Sequence, residues 1–259
     1  MTKGYYAKIP DRAVVTVTGP DAAPFLQGLI TQDIGLLETT PLLYSALLTP
    51  QGKYDYDFFI SMDRGFILLE CESAQAQNLA KKLSMFKLRK AIDIAVRDIA
   101  VFAAVVPDIS VGGFVMPRDP RHNLLGYRVQ NATPDLPEES FDVYDRRRLE
   151  LGVPDGSRDL ARGEDTVADM GLEQLNGVSF TKGCYMGQEL TSRMHHRGLA
   201  KRGLYPVQIK GEALAPFTDI VADGNLIGEM RSSNGNLGLA MLRHESKALA
   251  SKAGLSVLQ

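Results

Sequence analysis

One cysteine of this sequence stands among glycines and cationic side chains, a setting that suits thiol chemistry. Cys184 lies between Gly183 and Gly187, and Lys182 precedes it by two residues. Four further basic side chains follow within thirteen residues: Arg193, His195, His196 and Arg197. Because nearby positive charge favours the thiolate, we expect Cys184 to be reactive near neutral pH, with Lys182 as its activator. The alternative is a small buried residue in a tight loop, which these polar neighbours disfavour.

The residues next to this cysteine predict an unusual backbone. Gly183 and Gly187 permit a positive φ or the close approach of a ligand, which larger residues would prevent. Gln188 and Glu189 follow directly. We expect them to orient the loop by hydrogen bonds to backbone groups, which is equally a structural role.

Positive charge is concentrated in the same segment, although the whole chain is slightly acidic. The formal net charge is −2, which disfavours bulk binding of nucleic acid. Between residues 182 and 202, however, five Lys or Arg residues stand against one acid, Glu189. Such a strip is either simply solvated or an anion site. Its overlap with the cysteine segment favours the anion site.

The hydrophobic pattern and the cysteine count are typical of a protein from a reducing compartment. The chain of 259 residues has no apolar run near the roughly 18 residues of a membrane span, and no secretory signal at its amino terminus. We therefore expect no membrane partner, and a location in the bacterial cytoplasm or, in a eukaryote, the mitochondrial matrix. Two cysteines disfavour a disulfide framework and are too few for the thiolates that usually hold an iron–sulfur cluster. Cys71, in the apolar run FILLEC, is predicted to lie in the core.

The histidines predict no metal centre. His122 and His244 stand alone in the sequence. His195 and His196 are adjacent, so their side chains would point in different directions in a strand or in a helix.

Hydrophobic periodicity predicts an α+β fold rather than alternating βαβ units. Three helices are predicted. The first begins after Asp21, its expected N-cap, and the third covers residues 141–152. The second begins at Ser73 and turns Ala76, Leu79 and Leu83 toward the core. Strands are predicted at residues 13–19, 44–49, 54–60, 65–71, 92–96 and 100–106. Four shorter strands, at 204–211, 218–224, 226–233 and 237–243, indicate a small β-barrel or meander. Surface connections are predicted at 107–123 and 131–140.

A single carboxylate suggests a second site. Glu150 ends a basic, helix-like run just before Gly152 and Pro154. A carboxylate accepts two parallel hydrogen bonds from a flat heterocycle with adjacent N–H and amino groups, as in a pterin. The alternative is an ordinary surface glutamate in an arginine-rich helix.

The cysteine segment resembles the signature of a known family. Residues 182–189 match K-G-C-Y-x-G-Q-E, the hallmark of the YgfZ family of folate-binding proteins, without a gap. This family is related to the aminomethyltransferase (T-protein) of the glycine cleavage system. Similar stretches follow the expected order along nearly the whole chain: GPDAAPFLQGLITQD, LLTPQGKYDYDFFI, SMFKLRKAIDI and RRLELGVPDG.

For the fold, the resemblance implies an α+β ring of three subdomains around a central tetrahydrofolate site, with a C-terminal β-barrel closing one side. We place an N-terminal α+β subdomain at residues 1–95, a second with the cysteine motif at 96–198, and the barrel at 199–259.

For the site, the resemblance makes Glu150 the leading ligand of tetrahydrofolate. It falls where the aminomethyltransferases carry the glutamate that binds the pterin. Tyr185, Gln188 and Arg193 are the other predicted cofactor-binding residues.

For function, the resemblance implies a folate-dependent accessory factor in iron–sulfur cluster assembly or repair, with Cys184 and Lys182 as the catalytic residues. Its expected partners are folate and iron–sulfur client or assembly proteins. With two cysteines, the chain would hold at most a transient or partner-bridged cluster.

Two alternatives remain open. One is a tetrahydrofolate-dependent aminomethyltransferase, although Tyr56 and Asp57 stand where those enzymes carry two successive aspartates. The other, less favoured, is an RNA-binding or RNA-modifying module that uses the basic residues after Glu189.

Overall fold

The computed structural model describes residues 4–106 and 116–258, which form three β-sheets and four α-helices. The predicted α+β class is therefore confirmed. The surface connection predicted at 107–123 lies partly outside the described residues. None of the helices in the described ranges is long and apolar enough to cross a membrane.

The first sheet has five antiparallel strands in the order β3-β4-β5-β2-β6. Its strands are β2 (Arg12–Thr18), β3 (Leu43–Leu48), β4 (Tyr54–Asp63), β5 (Phe66–Glu72) and β6 (Asp93–Asp98). Helix α2 (Ser73–Lys87) packs on this sheet through the predicted residues Ala76, Leu79 and Leu83, all of them buried. Alternation and helical spacing thus predicted this layer well.

Helix α1 (Ala22–Gln27) is shorter than predicted, and its N-terminus differs from the expectation. The Asp21 side chain does not cap α1. It accepts a hydrogen bond from the backbone N–H of Ala91 at 2.8 Å instead. The chain then leaves the helix at Gly28, and this early exit positions the segment that follows.

The second sheet has four strands in the order β8-β7-β1-β9. They are β1 (Tyr5–Ile9), β7 (Val101–Val105), β8 (Tyr127–Gln130) and β9 (Glu138–Glu139). Because β1 pairs with β7, the start of the chain belongs to this sheet. A boundary at residues 95/96 therefore does not divide the two sheets cleanly. Helix α3 (Phe141–Glu150) follows β9.

The third sheet has five strands in the order β11-β12-β13-β10-β14 around its own apolar core. They are β10 (Arg202–Ile209), β11 (Asp219–Ala222), β12 (Asn225–Asn234), β13 (Leu237–Arg243) and β14 (Leu255–Val257). The four predicted short strands correspond to β10–β13. The periodicity did not predict helix α4 (Gln188–Arg197), which lies between the cysteine and this sheet.

Buried arginine side chains link the first two sheets to each other and α3 to the third sheet. Glu70 on β5 accepts hydrogen bonds from Arg12 at 2.9 Å and from Arg128 on β8 at 3.0 Å. Burial raises the pKa of Glu70, but Arg128 and Arg12 outweigh this and hold it at about 2. Arg148 on α3 donates to Ser232 on β12 at 2.7 Å, which ties α3 to the third sheet.

Candidate functional site

The loop that carries Cys184 is held against a segment from the other end of the sequence. We call residues 177–187 the cysteine loop and residues 28–32 the anchor segment. The backbone N–H of Met186 donates to the carbonyl of Gly28 at 3.1 Å, and that of Ser179 donates to the carbonyl of Thr31 at 3.0 Å. These bonds fix both ends of the cysteine loop.

Thr31 is the central residue of the anchor segment. Its hydroxyl donates to the carbonyl of Gly177 at 2.6 Å and accepts from the backbone N–H of Ala46 on β3 at 2.9 Å. Because Thr31 is fully buried, no solvent can replace these partners. The cysteine loop is thereby connected to the first sheet.

Lys182 is buried under the same loop, with only 5% of its surface exposed. Its ammonium donates to the backbone carbonyls of Ile30 at 2.7 Å and Gln32 at 2.8 Å. Burial lowers the pKa of Lys182 to about 8. The structure thus gives Lys182 a structural contact with the anchor segment, and its effect on the Cys184 thiol stays a prediction.

The two cysteines have opposite environments. Cys184 is exposed, whereas Cys71 on β5 is 1% exposed. Burial raises the pKa of Cys71 to about 12, so this thiol stays protonated at neutral pH. The prediction that Cys71 is a core residue is confirmed, and Cys184 is the accessible thiol.

The two glycines of the motif differ in what they require. Gly187 has φ +81°, and a Cβ there would lie 2.6 Å from the carbonyl oxygen of Thr49. Gly52 faces it with φ +79°, and a Cβ there would lie 2.8 Å from the carbonyl oxygen of Gly187. The expected positive φ is confirmed for Gly187 but not for Gly183, and the close approach at Gly187 is to backbone rather than to a ligand. A Cβ at Gly183 would meet no atom within 4 Å.

Helix α4 separates two hollows. Thr191, Met194 and His195 on one side line a cavity of about 480 Å³. Arg193 and Arg197 on the other side line an open depression of about 710 Å³. We call these the inner cavity and the outer depression.

The inner cavity combines flat, apolar and polar surfaces. The ring of His195 stacks on Phe180 with centroids 3.7 Å apart, and its Nδ1 lies 3.2 Å from a carboxylate oxygen of Glu173. The Thr191 hydroxyl is buried beside the hydroxyl of Tyr185. The third sheet closes the far side, where the Tyr205 hydroxyl lies 2.8 Å from His244 Nδ1.

The structure brings together three of the four predicted folate ligands. Tyr185, Gln188 and Arg193 all line the outer depression. Glu150 is exposed at the end of α3 and lines neither hollow, but the next three residues, 151–153, line the inner cavity.

The residues that replace the two transferase aspartates lie elsewhere. The Asp57 carboxylate accepts hydrogen bonds from the hydroxyls of Tyr44 at 2.9 Å and Tyr54 at 2.8 Å. The Tyr56 hydroxyl is hydrogen-bonded to Arg162. The space beside Asp57 is only about 20 Å³, room for about one water molecule. Neither Tyr56 nor Asp57 lines the inner cavity or the outer depression.

Comparison with known proteins assigns the family. Residues 201–257 match the C-terminal beta-barrel domain of CAF17. The mitochondrial iron-sulfur cluster assembly factor IBA57 of Mus musculus is 34% identical over 277 residues, which cover 92% of this chain and 77% of the relative. The Homo sapiens factor of the same name is 34% identical over 276 residues, with the same coverage. The chain belongs to the IBA57 family. These matches replace the broader resemblance to the YgfZ family with membership of the IBA57 family.

A solved structure supports the fold. The glycine cleavage system aminomethyltransferase T from Bartonella henselae superposes with a TM-score of 0.73, covering 95% of this chain and 80% of that chain. At 17% identity, the likeness is evidence for the fold alone. The predicted aminomethyltransferase-like α+β fold with a C-terminal β-barrel is confirmed.

Sequence reasoning missed the anchor segment. Thr31 and Gly177 are 146 residues apart, so no local pattern links them. One signal was present, because the stretch GPDAAPFLQGLITQD that carries part of the family resemblance includes residues 28–32. It indicated a similar segment without indicating what that segment contacts.

Proposed function

We propose that this protein is a folate-binding accessory factor in iron–sulfur cluster assembly or repair, with Cys184 as its working thiol. Membership of the IBA57 family supports the role in cluster assembly. The observation that carries the proposal is the exposed Cys184 on a loop that the buried anchor segment fixes in place.

The accessible thiol sets how a cluster would be bound. Clusters are usually held by about four cysteine thiolates, and here Cys184 is exposed while Cys71 is buried. A cluster at Cys184 would therefore take its other ligands from a partner protein or a small thiol. Such a cluster is cargo, held briefly between proteins. The fixed loop would keep the Cys184 sulfur in one place while the partner exchanges.

Folate would occupy the inner cavity. Its volume of about 480 Å³ is within the usual range for small-molecule sites, and the Phe180–His195 stack offers a flat wall. The buried Thr191 hydroxyl also lines this cavity. These residues fit a pterin, and Glu150 directly precedes residues 151–153, which line the cavity. Bound tetrahydrofolate supplies a reduced ring that carries one-carbon groups on nitrogen.

The residues at positions 56 and 57 support an accessory role over aminomethyl transfer. A transferase acid must reach the folate nitrogen, but Asp57 is engaged by two tyrosine hydroxyls beside a space of about 20 Å³. We therefore expect no ammonia above background from tetrahydrofolate and the aminomethyl-loaded carrier protein of glycine cleavage. Robust ammonia release would establish the transferase instead.

The compartment is part of the proposal. The two mammalian relatives are named as mitochondrial, which supports the matrix among the predicted locations.

The test of the thiol is complementation. In a strain that lacks the protein, we expect Cys184→Ser to fail to restore iron–sulfur enzyme activity, whereas Cys71→Ala restores it. Immunoblotting checks that both variants accumulate equally. Full restoration by Cys184→Ser would overturn the assigned thiol.

The test of the folate site is calorimetric titration with tetrahydrofolate. If Glu150 accepts two pterin hydrogen bonds, its removal costs about 2 kcal/mol, or roughly a 30-fold loss of affinity. Glu150→Ala should show this loss, and Glu164→Ala, at another exposed carboxylate, should not. Equal affinities in both variants would place the pterin elsewhere. Titration of Gln188→Ala tests whether the outer depression takes part.

A further inference from the structure

The outward side of α4 forms a cationic surface next to the cysteine loop. Arg193, His196 and Arg197 are exposed and line the outer depression. Their spacing of three and four residues places them on one face of the helix. Tyr185, the residue after Cys184, lines the same depression, so this surface begins one residue from the working thiol.

The salt bridges of the described residues do not account for these cationic side chains. Within the described ranges, Arg193 and Arg197 form no salt bridge, whereas His195 on the inner side is paired with Glu173. Favourable interaction with the helix dipole explains cations in the last turn, which include His196 and Arg197. It does not explain Arg193, one turn earlier. Glu189, four residues before Arg193, also lines the depression, but within the described ranges it forms no salt bridge with Arg193, so three cations stand against one acid on this surface.

The occupant must carry the opposite charge and be large. The depression is open and shallow, with a volume of about 710 Å³, which suits a protein surface better than an enclosed small molecule. The whole chain has a net charge of −2, so the cationic character belongs to this face and not to the protein as a whole. We propose that the α4 outer face docks an acidic surface of the partner protein that shares the cluster with Cys184. This inference rests on the proposed function.

The physical effect is mainly electrostatic steering. Opposed charges on two proteins raise the association rate and set the orientation of encounter, and salt screens both effects. An acidic partner would arrive with its own ligand residues turned toward Cys184. The outer face would thus select which protein reaches the thiol.

A chemical probe tests the steering with the intact protein. The probes are three peptides of equal length, each with one cysteine as a mixed disulfide with 2-thiopyridine and flanked by acidic, neutral or basic residues. The Cys184 thiolate attacks the peptide sulfur, a protein–peptide disulfide forms, and thiopyridone leaves and is measured by absorbance. At low salt, we expect the acidic peptide to react at least about tenfold faster than the basic one, with the difference lost in high salt.

Variants assign the effect to α4. Arg193→Glu/Arg197→Glu should remove or invert the peptide preference, while Arg193→Lys/Arg197→Lys should keep it. The matched control reverses two exposed charges elsewhere, Lys81→Glu/Arg89→Glu, and should keep it too. If the control loses the preference as well, or the wild type shows none, the docking face is refuted.

Complementation separates this inference from the proposed function. Failure of both Cys184→Ser and Arg193→Glu/Arg197→Glu, with the Lys81→Glu/Arg89→Glu control active, supports both. If Cys184→Ser fails and the arginine variant restores activity, the assignment of the thiol stands and the docking face is refuted. Restoration by Cys184→Ser overturns the proposed function itself. If the arginine variant instead loses binding to a labelled structured RNA that the wild type retains at physiological salt, the face belongs to RNA and the docking proposal is wrong.

Discussion

Replacing Thr31 with valine tests whether the anchor segment positions the cysteine loop. Valine has nearly the same shape but no hydroxyl, so the fully buried site keeps its packing. The carbonyl of Gly177 and the backbone N–H of Ala46 each lose their bond to Thr31. A buried polar group left without a partner costs about 1–3 kcal/mol, so with two such groups the free energy of unfolding should fall by about 2–6 kcal/mol.

The matched control is Thr16→Val. Thr16 is also buried, but its hydroxyl makes one longer bond, to the carbonyl of Ala95 at 3.2 Å. Its replacement should cost about 1 kcal/mol. Because the chain has no tryptophan, urea unfolding is best followed by far-UV circular dichroism. A loss for Thr31→Val no larger than that for Thr16→Val would refute the anchoring role.

A second measurement links the anchor to the thiol. In Thr31→Val the cysteine loop should open locally, and the rate of Cys184 alkylation should change under native conditions. The Thr16→Val rate should match the wild type. An unchanged rate in Thr31→Val would show that the loop holds its position without this hydroxyl.

Three other outcomes are expected. Iodoacetamide should label Cys184 much faster than Cys71, whose thiol is buried with a raised pKa, and peptide mapping showing equal labelling would remove the accessible-thiol argument. The pKa of Lys182 falls from 10.5 to about 8 on folding, so from pH 8 to 10.5 the unfolded chain binds more protons. The free energy of unfolding of the wild type is compared with that of Lys182→Met in urea titrations at several pH values. The difference should stay level below pH 8 and rise by up to about 3 kcal/mol toward pH 10.5. A difference that does not change with pH would contradict the burial of the Lys182 charge. Gly187→Ala should lower the melting temperature clearly more than Gly183→Ala, since only the former clashes with backbone; equal shifts would contradict the close packing at Gly187.

The elements predicted best are those whose signal is local. Helix α2 was predicted because Ala76, Leu79 and Leu83 recur at helical spacing and bury one face. Helix α4 was missed because it is short and its sequence QELTSRMHHR has only two apolar side chains, Leu190 and Met194. Its buried residue is the polar Thr191, so no buried apolar residues mark the side that faces the protein.

The site residues show the same division. The octapeptide motif indicated Cys184 through family resemblance, and the structure places its thiol in solvent. The anchoring of Lys182 on Ile30 and Gln32 has no sequence signature, because hydrogen bonds over 152 and 150 residues depend on tertiary packing. Glu150 was predicted from the same resemblance. Its exposed position at the end of α3 leaves the folate contact to experiment.

The long sequence separation between the cysteine loop and its anchor has a consequence for folding. Closing a contact over about 150 residues carries a large loop entropy, so such contacts form late and cooperatively. The cysteine loop leads directly into α4 through Gly187, whose backbone packs on the first sheet. Thiol and cationic helix are therefore put in place by the same late step. In a chain whose two halves have not yet joined, neither the cysteine loop nor α4 is held in place. Under the proposed function, Cys184 would therefore be correctly oriented for a cluster only after this step.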